Sequence, residues 1–227
     1  IISPMPYPLP RTRVKICGLT RAEDAREAVR AGVDALGLVF YPGSPRNVSI
    51  EAARCVINEI PAFVTVVALF VDEHPERVRE ILDAIRIDLL QFHGDESPEY
   101  CRQFAKPWIK ALRVRPGLDL AEMAGRYAEG QGILLDAWDP NAHGGTGLSF
   151  DWTTIPTGMA ERVILAGGLE PSNVARALGV AAPYAVDVSS GVEAAKGIKD
   201  AAKMQAFLRE VQEFDYRNKR SPGVRLS

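Results

Sequence analysis

Eight short apolar runs, most of them followed by a stretch with helical spacing, constrain this chain more than any other feature. They are "VKICGL" (14–19), "ALGLVF" (35–40), "VTVVALFV" (64–71), "LLQFHG" (89–94), "WIKALRV" (108–114), "GILLDAW" (132–138), "RVILAGGL" (162–169) and "YAVDVSS" (184–190). Near-continuous apolar runs of this kind suit strands buried on both faces, which pair in parallel and are joined by helices. The segments between them carry helix signals. Thr20 and Glu23 are spaced as a capping box, and Gly32 stands where that first helix should end. "SIEAARCVINEI", "HPERVREILDAI", "SPEYCRQFA", "LDLAEMAGRYA" and "PSNVARALG" repeat the pattern, several with Ser or Pro near the start, while "SFDWTTIP" is the weakest helix of the set. Eight βα units in 227 residues predict an α/β fold, a single (β/α)8 barrel, with a doubly wound open sheet as the alternative.

The barrel is expected to span 14–214. A proline-rich N-terminal extension covers 1–13 and a polar, basic tail covers 215–227. Composition narrows the function. A formal charge of -2 without clustered Lys and Arg speaks against a nucleic-acid partner. The longest apolar run, 63–71, is too short to cross a membrane, and the N-terminus lacks the apolar stretch of a signal peptide. Three widely spaced cysteines without a CxxC pair suggest a reduced, cytoplasmic protein and no metal site.

In such a barrel the chemistry sits at the C-terminal ends of the strands and in the loops that follow. Alternation assigns the faces. Lys15 and Cys17 share one face of the first strand, with Cys17 at the barrel mouth. Leu134, Asp136 and Trp138 share a face of the sixth, and Asp187 and Ser189 a face of the eighth. Closure makes the eighth strand a neighbour of the first, so an ion pair between Lys15 and Asp187 is expected inside the barrel. "LAGGL" and "VSSGVE" place glycines after strands seven and eight, where this architecture commonly holds a phosphate; tight strand–helix packing is the plainer reading of Gly167 and Gly168. A phosphorylated small molecule is the expected ligand.

Taken together, "KICGLT", "LGLVFYPGSPR", "QFHG", "DAWDPNAHGGTG", "SFDW", "ILAGGLEPSNV" and "DVSSGVEAAKGIKD" resemble the phosphoribosylanthranilate isomerase family of tryptophan biosynthesis in order and spacing, from about Val14 to Val211. The resemblance implies an Amadori rearrangement of N-(5-phosphoribosyl)anthranilate to the 1-deoxyribulose 5-phosphate, with no cofactor and no metal, in a monomer or homodimer. It implies Cys17 as general base, Asp136 as general acid, Arg46 as partner of the anthranilate carboxylate, and a phosphate site on Gly167, Gly168, Ser189, Ser190 and Gly191. Supporting positions are Lys15, Gln91, His93, Gly144, Gly145, Thr146 and Asp187, the three at 144–146 shaping a lid. Two departures concern that lid: Leu148 stands where relatives often have Lys, and the loop 137–143 is longer than in some members.

The chemistry asks for these residue types independently. Opening the ribose ring needs an acid at the ring oxygen, and forming the enolamine needs a base at C2. A partly buried aspartic acid suits the first role, and a thiol made acidic by Lys15 suits the second, although pairing with Asp187 would weaken the lysine's effect. Arg46 offers a planar fork that matches a carboxylate better than Lys would. Each has a plainer alternative: an inert core thiol, as expected for Cys55 and Cys101, a turn-forming Asp136, or a solvated Arg46. His93 and His143 are expected to bond and shape loops, and His74 to start a helix in solvent. Competing functions on the same barrel are a lyase or aldolase using Lys110 as a Schiff base, and a phosphate-ligand binder without turnover.

Overall fold

A computed structural model describes residues 11–137 and 150–220. Eight parallel strands form a closed barrel in sequence order, β8 pairing with β1. The chain runs β1 (Arg13–Cys17), α1 (Ala22–Ala31), β2 (Ala35–Val39), α2 (Ile50–Ile57), β3 (Thr65–Phe70), α3 (Pro75–Ala84), β4 (Leu89–Phe92), α4 (Pro98–Arg102), β5 (Trp108–Val114), α5 (Leu120–Arg126) and β6 (Gly132–Ala137). It continues through β7 (Val163–Leu165), α6 (Val174–Ala181), β8 (Ala185–Val188), a small antiparallel pair β9 (Glu193–Ala195) and β10 (Ile198–Lys199), and α7 (Ala201–Arg220). The expected barrel is the one found, and the open-sheet alternative falls with β1–β8 closure.

The parallel strands explain the buried apolar runs: Ile16, Leu36, Val66, Leu90, Leu135 and Val186 join one core against the surrounding helices. Their neighbours along each strand point inward, where Cys17 packs with Val39, Leu69 and Val71, and Ile109 with Ala111, Leu134 and Ala166. Burying each large side chain is worth about 1.5–3 kcal/mol, so the core dominates stability.

Local signals worked unevenly. Ser49 and Ser97 cap α2 and α4 by accepting from Ala52 and Tyr100 N–H, Pro75 opens α3, and Gly32 closes α1 in the left-handed conformation. The Thr20–Glu23 capping box does not form. Helix α1 starts one residue later, with Arg21 at its N-cap, because the Thr20 hydroxyl donates to Gly197 O at 2.5 Å and so ties the first βα loop to the β9–β10 hairpin. Between β6 and β7 the described residues form two 3-10 turns, Trp152–Thr154 and Thr157–Arg162, instead of a helix. β-Branched residues at 153–155 followed by Pro156 disfavour a longer helix there. Residues 215–220, assigned to the tail, continue α7, and Asp215 accepts from both the N–H and the hydroxyl of Thr12. Among the described residues no helix is long and apolar enough to cross a membrane.

Candidate active site

The C-terminal ends of the strands enclose one pocket lined by Cys17, Arg46, Gln91, His93, Asp136, Gly167, Gly168, Asp187, Ser189 and Ser190, together with Tyr41, Ser44 and apolar neighbours. Ten of the expected site residues therefore meet in one place. Lys15 lies behind them, Gly191 packs against the neighbouring loop, and Gly144, Gly145, Thr146, His143 and Leu148 fall outside the described residues, as does Trp138.

At the β1–β8 seam Lys15 and Asp187 are register partners, and the ammonium meets both carboxylate oxygens at 2.9 Å. Burial opposes the Lys15 charge, but Asp187 and then the Cys17 sulfur outweigh it and hold its pKa above the ordinary value. Cys17, 6% exposed, is pushed the other way from expectation. Burial raises its pKa, Lys15 lowers it, and Asp187 raises it again, leaving the thiol above its ordinary value. The lysine's field is largely spent on the aspartate, so Cys17 is a thiol at neutral pH in the free protein.

Opposite, Asp136 is the penultimate residue of β6, its Oδ1 accepting from Ala137 N–H at 2.9 Å. Its Oδ2 lies 3.3 Å from His93 Nε2. The ring N–H is not aimed at that oxygen, and Nε2 has no hydrogen-bond partner among the described residues. His93 Nδ1 lies 3.1 Å from Gln91 Nε2, while Gln91 Oε1 is buried and unmatched among the described residues. His93 thus lines the pocket and is hydrogen-bonded there to Gln91.

Arg46 is buried. Its Nε and Nη2 make a two-pronged pair with Glu193 at 2.7 and 2.8 Å, and its alkyl stem lies across Gly18. Gly18 has φ +79°, and a Cβ there would sit 2.4 Å from Arg46 Cδ, so only glycine admits this approach. Part of the guanidinium fork that sequence reasoning reserved for a ligand is thus taken by Glu193. Lys199 completes the cluster, donating to Glu193 Oε1 at 2.8 Å and to Ser189 O at 3.1 Å. Burial opposes the Glu193 charge, yet Arg46 and Lys199 outweigh it and hold its pKa below the usual range; burial lowers that of Lys199. Neither residue was singled out from sequence, although both lie in "GVEAAKGIKD".

Gly167 and Gly168 both have positive φ, +79° and +64°, and line the pocket; a Cβ on Gly167 would also lie 2.6 Å from Ala137 N, so close packing against β6 requires glycine there as well. A Cβ on Gly191 would lie 1.9 Å from Leu169 O, so the two loops touch backbone to backbone. Ser190 opens a short 3-10 turn to Val192, and the Ser189 hydroxyl donates to Cys17 O at 3.0 Å.

Among the described residues no lysine lines this pocket. Lys110 lies on the outer side of β5, its ammonium held by Gly94 O at 2.6 Å, Ala111 O at 3.1 Å and Glu96 at 3.2 Å. Lys199, on β10, is a further strand lysine beyond the two counted from sequence. Cys101 is buried, its pKa pushed up to about 12 by burial, but Cys55 is exposed on α2, which corrects its assignment to the core. His74 is exposed at the start of α3, as expected.

Comparison with known proteins places this geometry among relatives. Residues 14–210 match the family model described as N-(5'phosphoribosyl)anthranilate (PRA) isomerase. The N-(5'-phosphoribosyl)anthranilate isomerase of Pseudomonas putida strain F1 is 55% identical over 201 residues, 88% of this chain and 98% of the relative. That of Azotobacter vinelandii is 56% identical over 200 residues, covering 88% and 97%. Among solved structures, phosphoribosyl anthranilate isomerase from Thermotoga maritima is 41% identical with a TM-score of 0.81, covering 89% of this chain and 99% of that one. A complex of such an isomerase with reduced 1-(o-carboxyphenylamino)-1-deoxyribulose 5-phosphate is 40% identical with a TM-score of 0.78, covering 89% and 99%.

Proposed function

Because the chain belongs to the N-(5'-phosphoribosyl)anthranilate isomerase family, we propose that its pocket carries out that isomerisation with Cys17 as base and Asp136 as acid. One observation carries the assignment of roles: the thiol on β1 and the carboxyl on β6 line the same pocket, with the glycine- and serine-bearing loops after β7 and β8 between them in strand order. Asp136 gives its proton to the ribose ring oxygen as the anilino nitrogen forms a C1=N bond, opening the ring. Cys17 then removes the C2 proton, and the electron pair neutralises the iminium to give an enolamine. Protonation at C1 and loss of the C2 hydroxyl proton complete the ketose. The substrate's own amine supplies the imine, so no protein lysine is required. Backbone groups of Gly167, Gly168, Ser189 and Ser190 hold the phosphate, with Gly191 setting their spacing, and the remaining edge of the Arg46 fork meets the anthranilate carboxylate.

The pH dependence tests the base. Burial raises the Cys17 pKa, so the reactive thiolate fraction grows as pH rises through neutrality, and kcat/KM is expected to climb on the alkaline side. A profile that falls or stays flat there contradicts the role. Arg46→Ala is expected to raise KM roughly ten- to hundredfold, the loss of one hydrogen bond to a charged group, with a smaller change in kcat. An unchanged KM would remove Arg46 from carboxylate recognition.

A further inference from the structure

Gln91, His93 and Asp136 form a buried row, 0%, 5% and 6% exposed, across the base of the pocket. Two atoms of that row, Gln91 Oε1 and His93 Nε2, lack hydrogen-bond partners among the described residues. Buried polar atoms without partners are costly and call for a reason. Geometry supplies one. The Gln91 amide N–H reaches His93 Nδ1 at 3.1 Å and makes it the acceptor, so the imidazole proton belongs on Nε2, 3.3 Å from Asp136 Oδ2. Asp136 cannot turn away to avoid the histidine, because Oδ1 is held by Ala137 N–H.

We propose that Gln91 fixes His93 in the Nε2–H tautomer, and that His93 is a positioning residue whose N–H swings onto Asp136 Oδ2 as the aspartic acid surrenders its proton. The misaligned contact of the resting site becomes a charge-assisted hydrogen bond only when negative charge develops on Asp136. Apo contacts of catalytic groups commonly tighten in this way. The bond is made in the transition state and not in the ground state, so it raises kcat without improving KM. This inference rests on the acid role proposed for Asp136.

The tautomer is read directly. Only three histidines are present, so the ring nitrogens of ¹⁵N-labelled full-length protein are assignable with a His93→Gln reference. Without substrate, the proton is expected on Nε2 and Nδ1 bare; a proton on Nδ1 overturns the proposal. In Asp136→Asn, Ala137 N–H keeps the amide oxygen and turns its NH₂ toward Nε2. The proton should then move to Nδ1 as Gln91 presents Oε1, and an unmoved tautomer contradicts the coupling. In turnover, His93→Ala is expected to lower kcat roughly ten- to hundredfold, the worth of a hydrogen bond to a charge, with KM within about twofold. His93→Gln, whose amide N–H reaches in the same direction, should recover part of the loss; a defect confined to KM would overturn the role. A wild type without turnover would strike the functional reading instead, leaving the substrate-free tautomer to decide this one.

Discussion

Cys17→Ala is expected to lower kcat by about 10² to 10⁴-fold, and Asp136→Asn by a similar factor, since each removes one partner of an acid/base pair. The substitutions are mild on the fold. Cys17 is a small side chain in a cluster with Val39, Leu69 and Val71, so truncation leaves a cavity of about one sulfur atom and costs about 1 kcal/mol or somewhat more. Asparagine at 136 keeps the shape and the acceptor for Ala137 N–H, and withholds only the ionisable proton. Because neither variant alters the loops after β7 and β8 or Arg46, KM should change much less than kcat, the pattern of an interaction made only in the transition state. The comparison is made by steady-state kinetics on folded variants. If Cys17→Ala retained near wild-type kcat, the thiol would revert to core packing beside Gly37, whose Cβ position lies 2.9 Å from its sulfur.

Asp187→Ala should be the most damaging single change to stability. It leaves the Lys15 ammonium buried without its two 2.9 Å contacts, and breaking one side of a buried pair costs about 3–5 kcal/mol. For a chain of this size each kcal/mol lowers Tm by about 2–4 °C, so a fall on the order of 10 °C is expected by calorimetry. The double variant Lys15→Met with Asp187→Leu should regain much of that loss, because no buried charge remains uncompensated. Equal instability of the single and double variants would show that the pair's place in the barrel, and not its charge, is what matters. Lys15's raised pKa carries a sign as well. Its contribution to stability is complete below the ordinary lysine range and is lost as pH rises through the folded value. The wild type's advantage over Asp187→Ala should therefore shrink in strong alkali, and also in acid, where Asp187, its pKa raised by burial, takes up a proton.

The barrel was legible because every parallel strand is buried on both faces, which writes an uninterrupted apolar run into the sequence. The Lys15–Asp187 pair was legible too: alternation fixed the face of each residue, and closure put β8 beside β1. Where prediction failed, tertiary contacts had outbid local signals. Thr20 has the spacing of a cap, but its hydroxyl finds Gly197 O, 177 residues away, which no local pattern reveals. Cys55 has the helical spacing of a core residue, but lies on the solvent side of α2. The sign of the Cys17 shift was missed because the sequence, although it offers the Lys15–Asp187 pair that weakens the lysine's effect, does not show how completely the thiol is buried, and burial is the largest cause of the rise. Glu193 and Lys199 were missed because charges in a polar loop read as solvated; only the fold carries them under Arg46. Gly191 of "GVEAAKGIKD" drew attention, while the segment's charges Glu193 and Lys199 hold Arg46 in place.

The most direct measurement is a progress curve for the unaltered protein on N-(5'-phosphoribosyl)anthranilate generated in situ, followed by loss of the substrate's fluorescence, with protein mass recorded after borohydride treatment. Acid/base isomerisation by Cys17 and Asp136 predicts steady loss of fluorescence and an unmodified protein mass. Folded protein that leaves the fluorescence unchanged, or that gains a reduced substrate adduct on a lysine, would contradict it.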